Sequence, residues 1–135
     1  MREILFRGKK ESNGEWVEGS LHIEYGEWDK DGNRTLDYRI LGKSGQCDYV
    51  IPETVGQYTG LTDKNGKKIF EGDIVIDKYC REKFGFVGVV IYNSQLTQFQ
   101  IYSDKQPDYV VNLGSRRDSV KIIGNIHDNK LEDFV

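Results

Sequence analysis

Apolar and polar residues alternate along much of the chain, and no stretch sustains the 3.6-residue apolar repeat of a long helix. Leu21, Ile23 and Tyr25 alternate with His22 and Glu24, which predicts a strand with its apolar face inward and His22 in solvent. From Phe84 to Tyr92 the pattern changes. Phe86, Val90 and Tyr92 fall on one face and Val87, Val89 and Ile91 on the other, so a central strand is expected, with Val87, Val89, Val90 and Ile91 inaccessible. Phe99 and Ile101 alternate with Gln98 and Gln100, and Val120, Ile122 and Ile126 with Lys121, Asn125 and His127, predicting two half-buried strands.

Turn signals separate these runs. Asn65-Gly66 predicts a hairpin tip of type I′, because both central residues of that turn need positive φ. Gly72 allows a change of direction before the β-branched run Ile74-Val75-Ile76. A similar string, Asn-Gly followed by Glu-Gly, occurs at 13–19, with a spacing that differs by one; shared hairpin chemistry accounts for it better than duplication, since a one-residue slip reverses every side chain. Residues 103–108 and 114–118 read as polar loops, and 130–135 as a closing helical turn.

Composition agrees with strands and tight turns: 15 glycines, 2 prolines and 16 aromatic residues in 135. The expected fold is mainly β with little helix, a small SH3-like antiparallel barrel with an N-terminal β-rich elaboration. The length suits one domain, 1–135, with the barrel built mainly from about 50–135. A net charge of -3 gives no general attraction to phosphate backbones. The longest apolar run, 84–92, is broken by Gly85 and Gly88 and falls well short of the ~20 residues of a membrane-spanning helix. Without a signal-peptide pattern at the start, the expected compartment is the cytoplasm. There Cys47 and Cys80 would be unpaired thiols.

No constellation of catalytic or ligating residues emerges. Asp29, Asp31, Asn33 and Asp37 imitate the opening of a calcium loop, but Arg34 replaces the turn glycine and Ile40 the bidentate glutamate, so a solvated turn is expected. Neither His22 nor His127 has a zinc-ligand spacing beside it. Gly42-Lys43-Ser44-Gly45 is not a nucleophile elbow. Lys78, Arg81 and Lys83 surround Cys80, a setting that is more often a solvated face than an activated thiol. The glycines at 56, 60, 66 and 72 match no nucleotide-binding pattern. Basic residues Lys64, Lys67, Lys68, Lys78, Arg81 and Lys83 are interleaved with acids, and Arg116-Arg117 forms a second small cluster, so no coherent basic face appears.

Four stretches carry a family resemblance: FRGK at 6–9, GEWVEGSL at 14–21, PETVGQYTGLTDKNGKKIFEGDIV at 52–75 and IIGNIHDN at 122–129. Together they resemble the YopX-like proteins of bacteriophages and prophages over nearly the whole chain. His127 stands where that pattern leads one to expect an aromatic residue, and Lys130 where proline is usual. The resemblance implies a mainly β, SH3-type fold and a phage or prophage origin, and it implies no activity. Within the long motif, Gly56, Tyr58 and Gly60 share one strand face and Gln57 and Thr59 the other; an aromatic over two glycines is more often packing than binding, and Gln57, Tyr58 and Thr59 are the candidate interaction residues. The expected role is a non-catalytic protein-interaction module without cofactor or metal, binding a phage or host protein or itself as a homo-oligomer. The alternative is a nucleic-acid-binding β-barrel, favoured by the aromatics and opposed by the acidic balance.

Overall fold

The computed structural model describes residues 1–78, 85–116 and 118–134; Cys80, Arg81, Lys83, Phe84 and Arg117, which entered the sequence reading, lie outside the described residues. The chain is mainly β and divides into two compact units, Met1–Gln57 and Tyr58–Val135. Helical structure among the described residues is confined to short 3-10 turns at Pro52–Thr54, Leu113–Ser115 and Leu131–Phe134, the last at the expected closing position. None of it is long or apolar enough to cross a membrane as a helix.

In the first unit, strands β1 (Phe6–Lys9), β2 (Trp16–Trp28), β3 (Arg34–Leu41) and β4 (Cys47–Tyr49) pair antiparallel in the order β4-β3-β2-β1. The opening residues of β5 (Gly56–Thr62) add to β1 through Phe6 opposite Gln57 and Arg7 opposite Gly56. The β1–β2 turn forms at Asn13-Gly14 as its residues dictate: Gly14 has φ 75°, and Asn13 Oδ1 accepts the Glu15 N–H at 2.9 Å. Leu5, Ile40 and Val50 form the buried apolar centre. Gly8 lets it close, since a Cβ there would stand 3.1 Å from the Val50 Cβ.

In the second unit, the rest of β5 pairs with β6 (Lys68–Phe70). A five-stranded antiparallel sheet follows, made of β7 (Asp73–Asp77), β8 (Phe86–Asn93), β9 (Gln98–Tyr102), β10 (Val111–Asn112) and β11 (Val120–Asn125), in the order β10-β9-β8-β7-β11. Its core is Ile69, Val75, Phe86, Val90, Ile101, Val111, Leu113 and Val120, and the Phe86 and Tyr109 rings meet edge-on at 5.0 Å. No described pairing joins β10 to β11, so the expected closed barrel is not found.

Two expectations change in detail. Strand β8 is central, with β7 and β9 on either side, but Phe86, Gly88 and Val90 are buried while Val87, Val89 and Ile91 are half-buried. Being central in hydrogen bonding buries a strand's edges, but the main core lies on the face of Phe86 and Val90, and the opposite face, where Ile74 is buried, is covered only in part. Asn65-Gly66 does sit at a hairpin tip, yet only Gly66 takes positive φ, at 81°. The type I′ turn is displaced by a wider loop that the Asp63 carboxylate organises, accepting the N–H groups of Asn65 and Lys67 at 2.9 Å each. The two Glu-Gly pairs also differ: Gly72 turns the chain at φ 89°, whereas Gly19 lies inside β2, where a Cβ would overlap the Leu41 carbonyl.

Candidate functional site

The residues singled out in the long motif are largely structural in their placement. Gln57 is half-buried, while Tyr58 and Thr59 are buried. Tyr58 packs on Phe70 with ring centres 5.6 Å apart, and Lys68 Nζ lies over its face. The Thr59 hydroxyl donates to the Ile69 carbonyl at 2.8 Å and accepts the Leu61 N–H. Asp63, a buried carboxylate, is a joint. Its Oδ1 holds the hairpin loop, and its Oδ2 accepts the Ile122 N–H at 3.1 Å. Desolvation raises its pKa, but the Ile122, Lys67 and Asn65 N–H groups and the Lys67 charge outweigh it and hold the carboxyl below its ordinary value. Gly72 is a second joint: its N–H donates to Val90 and its carbonyl accepts from Ile126. The motif at 122–129 ends in a turn built by Asn125, whose Oδ1 accepts the His127 and Asp128 N–H groups at 3.0 Å. These recognisable stretches are thus hydrogen-bonded corners of the second unit.

The remaining candidates are dispersed. Asp29 Oδ1 accepts the N–H groups of Asp31 and Asn33, which makes that acidic run a turn. His22 and Cys47 are exposed, and among the described residues no three His, Cys, Asp or Glu side chains are grouped to hold a metal. Arg116 faces the buried Asp77, with Nε 3.5 Å from Oδ2, so its charge is engaged within the fold. The basic residues Lys64, Lys67 and Lys78 are exposed without assembling a face with the described aromatics, apart from Lys68 over Tyr58.

What the sequence reading missed lies in β2 and β3. Beyond Ser20 the described pairings of β2 and β3 are with each other, apart from β4 at Arg39–Leu41 and the Tyr38 carbonyl, which accepts the Val50 N–H, so from Ile23 and Tyr38 outward the two strands run as a two-stranded arm to Trp28 and Arg34. Directly opposed residues share a face. Leu21 stands against Ile40, Ile23 against Tyr38 and Tyr25 against Leu36, which puts the alternating apolar residues on one side. That side was expected to face inward. Instead Ile23 is 46% exposed, Tyr25 68%, Trp28 67% and Leu36 45%, because no described element covers the arm. A β-bulge between Tyr25 and Trp28 shifts the register near the tip. Arg34 lies over both rings, 4.9 Å from the centre of Tyr25 and 5.0 Å from that of Trp28, and its Nε donates to the Gly26 carbonyl at 3.0 Å.

The reverse side of the arm is charged. Arg39 is ion-paired with Glu24, His22 Nε2 lies 3.6 Å from Glu24 Oε2, and Asp37 stands opposite Glu24. One ribbon therefore carries an exposed aromatic and aliphatic face and a polar back. The sequence held one sign of this. The apolar alternation of 21–25 breaks at Gly26 and Glu27 and then offers Trp28 out of phase, which is where the bulge forms and returns a large aromatic to the apolar side.

Among solved structures, protein EF1440 from Enterococcus faecalis is similar, at 23% identity over 96% of each chain, with a TM-score of 0.49. No curated protein matches. The family model described as YopX protein matches residues 5–132, and the chain belongs to that family.

Proposed function

We propose that this chain is a non-catalytic protein-interaction module, an accessory protein of the phage or prophage kind that the family resemblance implies. The observation that carries the reading is the exposed face of the arm. Tyr25 and Trp28 are about two-thirds accessible there, beside Ile23 and Leu36 and with an arginine held over their rings. Aromatic residues and arginine are enriched at the centres of protein interfaces, and acidic residues and lysine are depleted there. This face has that composition, with Glu24 and Asp37 turned to the back. In the same reading the second unit is an SH3-like element, supported by a sheet in which the last strand, β11, flanks the first, β7.

Nucleic acid is the weaker partner. Over 21–41 the arm carries Glu24, Glu27, Asp29, Asp31 and Asp37 against Lys30, Arg34 and Arg39, a balance that repels a phosphate backbone. The test is co-purification from the host, with and without nuclease, using the wild-type chain and a Tyr25→Ser/Trp28→Ser variant. The expected result is a protein that is retained after nuclease and lost with the variant. Recovery of nucleic acid that disappears on nuclease treatment would reverse the assignment, and equal recovery by both chains would remove the arm from it.

A further inference from the structure

We infer that the occupant of the arm is a second copy of this chain, the two arms stacking apolar face on apolar face about a two-fold axis. This rests on the interaction-module reading and names its partner. Charge points to this occupant. Among the described residues Arg34 is the charged side chain recorded over the Tyr25 and Trp28 rings, and its Nε and guanidinium plane are engaged by Gly26 and those rings. The face is otherwise apolar and carries this one cation, so it suits an equally apolar surface that sets no second cation against Arg34, a condition that antiparallel stacking meets by sending the two Arg34 side chains, near the tips, to opposite ends, since burying like or unpaired charges together is costly. The face itself is such a surface, and a two-fold interface uses the same patch on both copies.

The arrangement of the acids points the same way. Glu24 and Asp37 oppose one another on the back, and Asp29 and Asp31 lie in the turn at the tip. Antiparallel stacking sends the two tips to opposite ends, so the acidic turns are kept apart. A basic peptide would draw on those acids but would meet the apolar face with its charges, and an acidic partner would be repelled by them.

Area agrees with both. At roughly 200 Å² for a whole aromatic side chain, the exposed parts of Ile23, Tyr25, Trp28 and Leu36 amount to about 400 Å² per copy. With the half-buried Leu21 and Tyr38 and the Arg34 stem, two copies would cover about 1,000 Å², the size at which specific pairs begin and at which they exchange readily. An interface of that size belongs to the weak, transient class, so the expected dimer is reversible.

The experiment is mass by light scattering on the full chain, from about 1 to 500 μM. It compares wild type with Tyr25→Ser/Trp28→Ser, with Leu36→Glu, and with Tyr92→Ser, which alters an exposed aromatic of the second unit. Circular dichroism and the thermal midpoint establish that each variant is folded. Wild type and Tyr92→Ser should pass from monomer to dimer across the series, and both arm variants should raise the dissociation constant about 30-fold or more. A wild type that remains monomeric, or folded arm variants that dimerise like wild type, would overturn the inference. If the wild type is monomeric while the arm double variant still loses a nuclease-resistant protein partner, only the second copy is refuted and the interaction-module reading stands. If neither dimerisation nor partner binding responds to the arm variants, both readings fall.

Discussion

The two units use their large apolar residues in opposite ways. In Tyr58–Val135 eight buried residues form one continuous cluster, and Phe86 and Tyr109 are packed ring against ring. In Met1–Gln57 the buried apolar residues are few, among them Leu5, Ile40 and Val50, while Tyr25, Trp28 and Tyr49 stand at or above half exposure. Burial of an aromatic side chain is among the largest favourable terms available to a small domain. A unit that leaves several in water has forgone that gain. The second unit thus gathers its large apolar residues into one core, and the first leaves several of them at its surface.

The sharpest way to break this comparison is to truncate one residue in each region. Ile101, fully buried in the second unit, should cost about 3–4 kcal/mol when replaced by alanine, through lost transfer energy and the cavity left behind. Urea unfolding measures it, and a loss under 1 kcal/mol would show the cluster to be loosely packed.

Next in size is Asp63→Ala. It strips the acceptor from three N–H groups at once, those of Asn65, Lys67 and Ile122, and should cost about 3 kcal/mol by the same measurement. The same carboxyl gives a pH signature. Its folded pKa is depressed, so the unfolded chain binds the proton more readily. Its contribution is complete above the unfolded value of about 4 and is lost as pH falls through the folded value. Unfolding free energy measured in acid should therefore fall more steeply for wild type than for Asp63→Asn, and parallel curves would remove Asp63 as the source.

Much of the second unit was legible in the sequence because its signals are local. Asn65-Gly66 marks a turn, Gly72 marks a change of direction, and alternation marks β9 and β11. The turn type was not legible, since Asp63 could satisfy two local N–H groups with one oxygen and so hold a wider loop. The half exposure of Val87, Val89 and Ile91 was not legible either. Periodicity says that both faces of a strand are apolar, and only the placement of neighbouring elements decides which face is covered. The same limit hid the arm. Leu21, Ile23 and Tyr25 alternate as an inward face should, and the element that would make it inward is absent from the described residues. Tyr58, set over two glycines of the long motif, packs on Phe70, as that placement favours.

Two smaller effects sharpen the contrast between the units. Thr97, in the β8–β9 turn, has φ 51°, a left-handed conformation that a β-branched residue adopts under strain. Thr97→Gly should stabilise by about 0.5–1 kcal/mol, strain relief exceeding the added chain entropy. A lower thermal midpoint would mean that the bond from the Thr97 hydroxyl to the Leu96 carbonyl matters more than the strain. Smallest of all should be Tyr25→Ser, within about 0.5 kcal/mol of wild type when unfolding is measured on dilute chain, because its ring rests mainly against solvent and Arg34. A loss of 2 kcal/mol there would make the arm's aromatics structural and erase the difference between the two regions.

The two oxygens of Asp63 have different partners in time as well as in space. Oδ1 serves Asn65 and Lys67, which leave the ribosome only moments after it, while Oδ2 waits for Ile122, 59 residues later. During synthesis the hairpin loop can form early, but the carboxylate that shapes it stays half-engaged until β11 emerges. Protease resistance of chains arrested at successive lengths should therefore rise in two steps, the second only once β11 has cleared the exit tunnel. A nascent chain stopped short of that strand holds a buried-type carboxylate facing an unfilled seam, and its shaped turn becomes the place where the last strand is received.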